Sequence, residues 1–264
     1  MFFVISAASA QEILAPKEAA KLTLAIQKND LKKVKKLVHP GNINDIIFVQ
    51  GESGQAALGF AIANQRPKIA AWLLEAGADP NWFKGYITPL FSAALNRDFD
   101  LLQQLVAKGA KADLGRPSLT AAVTGPKDSP EIVTFLIKNG ANPNARDTDE
   151  STPLMVAVSW GNLDAVKALS QAGADVNACE KHGKQCFSVL NSAVLAAGSA
   201  KSKGNGAEIV RYLLGKGASV ALTNKQMNTK GYNILAETSP GGEIYLLLKQ
   251  RLEEETAPAA QPIT

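Results

Sequence analysis

Histidine and cysteine are scarce: the 264 residues contain two of each. That leaves little material for a metal centre, a thiol nucleophile or imidazole acid–base chemistry. The sequence has no G-x-S-x-G elbow, no phosphate loop ending in Gly-Lys-Ser/Thr and no H-E-x-x-H. His39 and His182 lie far apart in the chain, with no neighbouring nucleophile or base that completes a known set. No enzyme and no cofactor is expected. A strong excess of one charge is also missing. Lys and Arg number 28 against 24 Asp and Glu, a net +4, which is mild for a nucleic-acid binder. Past the first few residues, no stretch approaches the ~20 apolar residues that span a bilayer, so the mature chain is not expected to insert into a membrane. What is present suffices for a core: 46% of the residues are apolar and 20% charged, enough for one elongated repeat domain or two compact ones.

Against that background one stretch organises the rest. Residues 151–177 read STPLMVAVSWGNLDAVKALSQAGADVN. Thr152 is predicted to cap a helix with its hydroxyl, and Pro153 follows at the first helical position, where a missing N–H is harmless. Leu154, Ala157 and Val158 share one face, and Ala157 is small enough to let another helix approach. Gly161 and Asn162 break this helix. A second is predicted over about Leu163 to Gln171, with Leu163, Val166 and Leu169 inward. Gly173 supplies the left-handed residue that ends it, and Asp175 and Asn177 begin an extended turn. The unit is helix, tight turn, helix, hairpin. Its Thr152, Pro153, Leu154 and Ala157 match a T-P-L-x-x-A signature, and in this it resembles the ankyrin repeat.

The pattern recurs. Thr88-Pro89-Leu90…Ala93 opens another copy, and Ala56-Ala57-Leu58…Ala61, Pro117-Ser118-Leu119…Ala122 and Ser188-Val189-Leu190…Ala193 open weaker ones. The closing Gly-Ala pairs start at 77, 109, 140, 173 and 217, spaced by 32, 31, 33 and 44, against an ankyrin period of about 33. The long interval holds a stretched hairpin between Cys179 and Cys186 and the polar run GSAKSKGNG at 198–206. GPKDSP at 125–130 is a smaller insertion. Such loops are either functional or tolerated slack, because lengthening a surface loop is cheap. The fold the resemblance implies is all-α, an ankyrin-repeat solenoid of about six to seven helix-turn-helix repeats joined by β-hairpin turns.

The expected domain covers 17–252. Lys32, Lys33, Lys35 and Lys36 sit opposite the apolar positions of the first repeat. They are expected to form the polar outer face of a terminal repeat, a basic patch for an acidic partner being the alternative. A partial repeat is expected at the other end, opened by Asn233-Ile234-Leu235 and closed by a helix from Glu243 to Glu254 with Leu246, Leu247 and Leu248 inward. Residues 253–264 are expected to be a disordered tail.

The first ten residues, MFFVISAASA, differ from all that follows. Phe2 to Ile5 are apolar and Ala8-Ser9-Ala10 has the small-x-small form of a signal-peptidase site, although the basic start is missing and the apolar run is short. An export-signal remnant is expected over 1–10, with a mildly apolar terminus as the alternative. Cys179, His182 and Cys186 offer at most three zinc ligands where a closed site takes four. The cysteines stand on the two arms of one hairpin, and a disulfide between Cys179 and Cys186, as found in oxidising compartments, is expected over free thiols or metal.

Ankyrin-type proteins, by resemblance, bind other proteins on the side made by the hairpin tips and the first helix of each repeat. Departures from the repeat pattern there are the candidate contacts. Asn81-Trp82-Phe83-Lys84-Gly85-Tyr86 puts Trp82, Phe83 and Tyr86 on a turn that is usually polar, either as interface anchors or folded back on their own hairpin. Trp160 ends the central repeat's first helix. Asp149 and Glu150 occupy a turn tip, Glu150 where the family often has glycine, and His182 crowns the long hairpin. Trp72, among second-helix apolar positions, reads as packing. The expected function is a non-catalytic module, monomeric when free, that binds one specific protein in the bacterial periplasm. It would act as an immunity or inhibitor protein against a toxin, or as a helper of a neighbouring enzyme. The alternative is a cytoplasmic scaffold or host-directed effector.

Overall fold

The computed structural model describes residues 14–47, 55–83, 87–182, 185–198, 205–227, 233–239 and 241–257. The expected export segment at 1–10 lies outside them. The chain divides into two compact units, 1–118 and 119–264.

In the first unit, helices come in consecutive pairs: α1 (Pro16–Gln27) with α2 (Leu31–Leu37), α3 (Ala57–Ala63) with α4 (Pro67–Glu75), and α5 (Pro89–Asn96) with α6 (Phe99–Ala107). Short antiparallel strands β1 (Ile46–Ile47) and β2 (Gln55–Ala56) precede α3. Each start has a physical cause. Thr88 Oγ1 accepts the Phe91 N–H at 3.1 Å while Pro89 takes the first helical position, and Asp30 and Asp98 cap α2 and α6 through the N–H groups of Lys33 and Leu101. Ala61, Ala93 and Ala94 are fully buried, and these small side chains let α3 and α5 pack closely. Ile69, Leu73, Leu102 and Leu105 fill the second layer.

The repeats of this unit are fastened by asparagine. Asn81 donates from Nδ2 to the Gly109 carbonyl at 2.9 Å and accepts the Lys111 N–H on Oδ1 at 2.8 Å. Asn44 accepts the Asp79 N–H in the same way.

The second unit runs through α7 (Ser118–Val123), α8 (Pro130–Lys138), α9 (Pro153–Ser159), α10 (Leu163–Gln171), strands β3 (Cys179–His182) and β4 (Gln185–Ser188), α11 (Val189–Ala197), α12 (Gly206–Gly215), α13 (Val220–Gln226), a 3-10 turn (Ile234–Glu237) and α14 (Glu243–Thr256). The central repeat is as expected: Thr152 caps α9 through the Met155 N–H, and Leu154, Ala157, Val158, Val166 and Leu169 are buried. Ser188 and Asn191 form a reciprocal capping box on α11. Asn144 and Asn177 repeat the asparagine clamp, donating to the carbonyls of Gly173 and Gly217 and accepting the N–H groups of Asp175 and Ser219.

Three expectations need correction. The last repeat does not open at Asn233. Its first helix is α13, capped by Ser219, and Ile234–Glu237 form only a 3-10 turn. In α14, Leu248 is buried but Leu246 is 56% exposed, because successive helical residues turn about 100° and three in a row cannot share a face. Finally, α14 continues to Thr256, into the stretch expected as tail. Glu255 is the reason. Its carboxylate accepts Ser219 Oγ and the N–H groups of Val220 and Ala221, capping α13, and is held by Arg251 Nε at 3.0 Å.

Candidate protein-binding surface

In the first unit the turn after Gly77 carries Trp82 and Phe83 against the open side of α3 and α5. Trp82 is 7% exposed, and its buried indole Nε1 finds no hydrogen-bond partner among the described residues. Trp82 thus floors the groove beside α3 and α5. Phe83 is half-buried. Tyr86 lies outside the described residues.

Trp82 and Phe83 line a groove of about 270 Å³ whose apolar walls include Ile87, Phe91 and Leu95. Ile87 is 53% and Leu95 43% exposed. Neither stood out in the sequence. The signal for Leu95 was nevertheless there, since it lies seven residues after the capping Thr88, at the position held by Ser159 relative to Thr152. The larger hollow, about 550 Å³, is a gap between the turns Gln65–Pro67 and Asn96–Leu101. Its Asp98 is already committed to the N–H of Leu101.

Trp72 departs from expectation. It is half-buried on α4, and the Lys35 ammonium stands 5.6 Å from its ring centroid. The sequence read it as core because Leu73 and Leu74 beside it are, yet the helical turn carries Trp72 to the rim.

In the second unit the expected residues of the 142–151 turn and the cysteine hairpin meet. Asp147 Oδ1 accepts the N–H groups of Asp149 and Ser151, shaping a tip on which Asp149 and Glu150 are exposed. Glu150 has φ +64°, so it does occupy a left-handed position that favours glycine. Arg146, which the sequence did not single out, donates to the carbonyls of Glu150 and Cys179, and Ser151 Oγ donates to Glu180 Oε2 at 2.6 Å.

In the hairpin, Cys179 is registered opposite Ser188 and Cys186 opposite Lys181, so both cysteines lie on one face. They stand at disulfide distance, their Cα atoms 5.3 Å apart. The backbone of His182 ends β3, and its side chain lies outside the described residues. Trp160 ends α9 half-buried.

The insertion at 125–130 is structural. Asp128 accepts the N–H groups of Asp164 and Ala165 at the start of α10, where Asn162 makes no side-chain cap and donates its amide to the carbonyls of Val123 and Gly125. Burial raises the Asp128 pKa above its usual value; the backbone N–H groups pull it down and the neighbouring Asp164 charge adds to the rise. Among the described residues no group of three His, Cys, Asp or Glu side chains is placed to hold a metal ion, and no helix is long and apolar enough to cross a membrane.

Comparison with known proteins agrees with the repeat geometry. A family model described as "Ankyrin repeats (3 copies)" matches residues 90–180 and 119–224. The chain is similar to the putative ankyrin repeat protein FPV223 of Fowlpox virus (strain NVSL), 30% identical over 126 residues that cover 47% of this chain and 88% of the relative. It is also similar to the putative palmitoyltransferase ZDHHC13 of Danio rerio, 33% identical over 142 residues, half of this chain but only 21% of that protein. Among solved structures, the human ASB11 ankyrin repeat domain superimposes with a TM-score of 0.66 at 25% identity, covering 90% of this chain and 99% of that domain.

Proposed function

The chain belongs to the ankyrin-repeat family, and from that premise we propose that it is a non-catalytic module that binds one protein in the bacterial periplasm, as an inhibitor of a toxin or as a helper of a neighbouring enzyme. The observation that carries the binding reading is the groove in the first unit, where Ile87 and Leu95 hold their side chains toward solvent beside Phe83. About half of each side chain is left uncovered by the repeat, and exposed apolar groups gathered in one groove mark a candidate interaction site. The periplasmic part is supported by the cysteine pair at disulfide distance, an arrangement that persists in oxidising compartments, and by the Ala8-Ser9-Ala10 pattern.

The test is expression in the native host with the full upstream reading frame, followed by intact-mass measurement and cross-linking in the periplasmic fraction. The expected product begins at Gln11, is lighter than the reduced chain by two hydrogens, and is cross-linked to one protein that a Leu95→Asp variant no longer captures. The partner's activity in that complex then separates inhibitor from helper. An uncleaved chain with two alkylatable thiols overturns the periplasmic reading, and a cytoplasmic scaffold or host-directed effector takes its place. Unchanged capture by Leu95→Asp overturns the groove.

A further inference from the structure

Lys32, Lys33, Lys35 and Lys36 crowd onto the seven residues of α2, and all four are exposed. Solubility of a terminal repeat calls only for a polar face, and this chain builds such faces elsewhere by interleaving signs. On α14, Lys249 lies 3.9 Å from Glu253, and Arg251 reaches Glu254 and Glu255. On α2 there is no interleaving. Lys32–Lys35, Lys32–Lys36 and Lys33–Lys36 are like-charged pairs at helical spacing, which weaken a helix. Lys32 and Lys33 also sit in the first turn, where the helix dipole disfavours cations. Among the described residues none of the four lysines has a carboxylate within ion-pair distance. Asp30, the nearest acid in sequence, is committed to the Lys33 N–H as the helix cap.

The face continues beyond α2. Helix α4 packs against α2 and adds exposed Lys68 and half-buried Trp72, over which Lys35 rests. Two exposed acids border this surface: Asp30 at the start of α2 and Glu75 at the end of α4. Residues 17–75 contain nine Lys and Arg against five Asp and Glu, so this quarter of the chain holds a surplus as large as that of the whole.

We propose that α2 and α4 form a second docking face, for an acidic segment of the protein partner. A run of carboxylates lies over Lys32, Lys33 and Lys36, and one apolar side chain packs against Trp72 beside Lys35. The inference rests on the protein-binding reading above and names the chemistry the partner must present. A predominantly basic surface of this kind also steers encounter, speeding association with an acidic partner more than it deepens affinity.

The experiment titrates the full-length protein with end-labelled poly-L-glutamate. Binding is expected that falls steeply between about 50 and 200 mM salt. It should change the emission of Trp72, read by difference from a Trp72→Phe variant. The affinity should drop about tenfold or more in Lys32→Gln/Lys33→Gln/Lys35→Gln/Lys36→Gln, while the four Lys→Arg replacements retain it. The Lys32→Gln/Lys33→Gln pair, two exposed changes that leave packing alone, gives a milder loss. No binding, or equal binding by the Gln variants, overturns the proposal. So does tighter binding to phosphatidylglycerol vesicles than to poly-L-glutamate, which would make the face a membrane contact. The titration needs no native partner, so its failure removes this face alone. Absence of any captured partner removes the protein-binding reading instead.

Discussion

Arg146 donates through Nη1 to the carbonyl oxygen of Cys179 at 2.9 Å, so the turn that presents Asp149 and Glu150 is tied to the strand that carries the first cysteine. Ser151 and Glu180 make a second tie across the same gap. The cysteine pair and these bonds therefore act on one hairpin. A bridge between residues seven apart closes a loop of roughly eight residues, for which chain entropy gives about 2.5 kcal/mol. Reduction, or Cys179→Ser/Cys186→Ser, is expected to lower the stability of the second unit by about 2–3 kcal/mol. Arg146→Ala should lower it by about 1 kcal/mol, the net worth of an exposed hydrogen-bond pair. Because the two act on the same strand, their effects should not add. Urea unfolding followed by Trp160 emission measures all three. Additive losses would mean that the hairpin and the 142–151 turn are not coupled.

Asp128 makes stability depend on pH in an unusual direction. Its pKa is raised in the folded chain, chiefly by burial. Between the unfolded value near 3.8 and the higher folded value, the native state therefore binds more protons than the unfolded state. In that window this residue's contribution falls as pH rises, and above the folded pKa it stays at the lower level. Asp128→Asn keeps an acceptor for the Asp164 and Ala165 N–H groups and removes the charge, so it should abolish this step and match or exceed the parent at neutral pH. Asp128→Ala removes the cap and should cost about 1 kcal/mol. The measurement is the urea midpoint across the acid range. A pH profile for Asp128→Asn that superimposes on the parent's would exclude Asp128 as its source.

The repeat core was readable because its causes are local. Thr152 with Pro153, and Thr88 with Pro89, announce helix starts within three residues, and the Gly-Ala pairs mark helix ends. What stayed hidden depends on neighbours distant in sequence. Trp82 stays undecided between anchor and packed side chain until α3 and α5 are folded beside it. Asp128 caps a helix that begins 35 residues later, so its loop looks like slack. Helix α13 begins Val220-Ala221-Leu222, with no T-P-L signature, and its start is fixed jointly by Ser219 and by Glu255 from the chain's last helix. The basic run on α2 was visible. That it stays unbalanced, with Trp72 beside it, depends on which helix packs against α2.

Gly206 opens α12 so close to α11 that a Cβ there would lie 2.3 Å from Ala197 Cα and 2.4 Å from its Cβ. Backbone would have to move. Gly206→Ala is expected to destabilise the second unit by about 1–3 kcal/mol through overpacking. Gly215→Ala, at the other end of the same helix and with nothing within 4 Å, should be neutral or stabilising by up to about 1 kcal/mol. Thermal unfolding of both variants decides it. Equal shifts would mean that α11 and α12 do not approach closely at Gly206.

Glu150 holds a left-handed backbone at φ +64° although glycine would take that conformation freely. A residue with a Cβ is disfavoured there by about 1–2 kcal/mol. The compensation in sight is slight: the Glu150 carboxylate is exposed and 4.0 Å from Arg146 Nε, and such pairs contribute about 0–1 kcal/mol. The hydrogen bond from Arg146 goes to the Glu150 carbonyl, which glycine would retain. Glu150→Gly is therefore expected to stabilise the second unit by about 0.5–1 kcal/mol, once the larger unfolded-state freedom of glycine is set against the relief. If the carboxylate is kept for a partner, the same variant should bind that partner more weakly while unfolding at a higher temperature. Thermal unfolding and partner titration of one protein preparation provide both numbers. Weaker binding with a higher melting temperature identifies Glu150 as a contact residue maintained at the expense of stability. A lower melting temperature would show that the Arg146 pair outweighs the strain, making Glu150 a structural part of the turn.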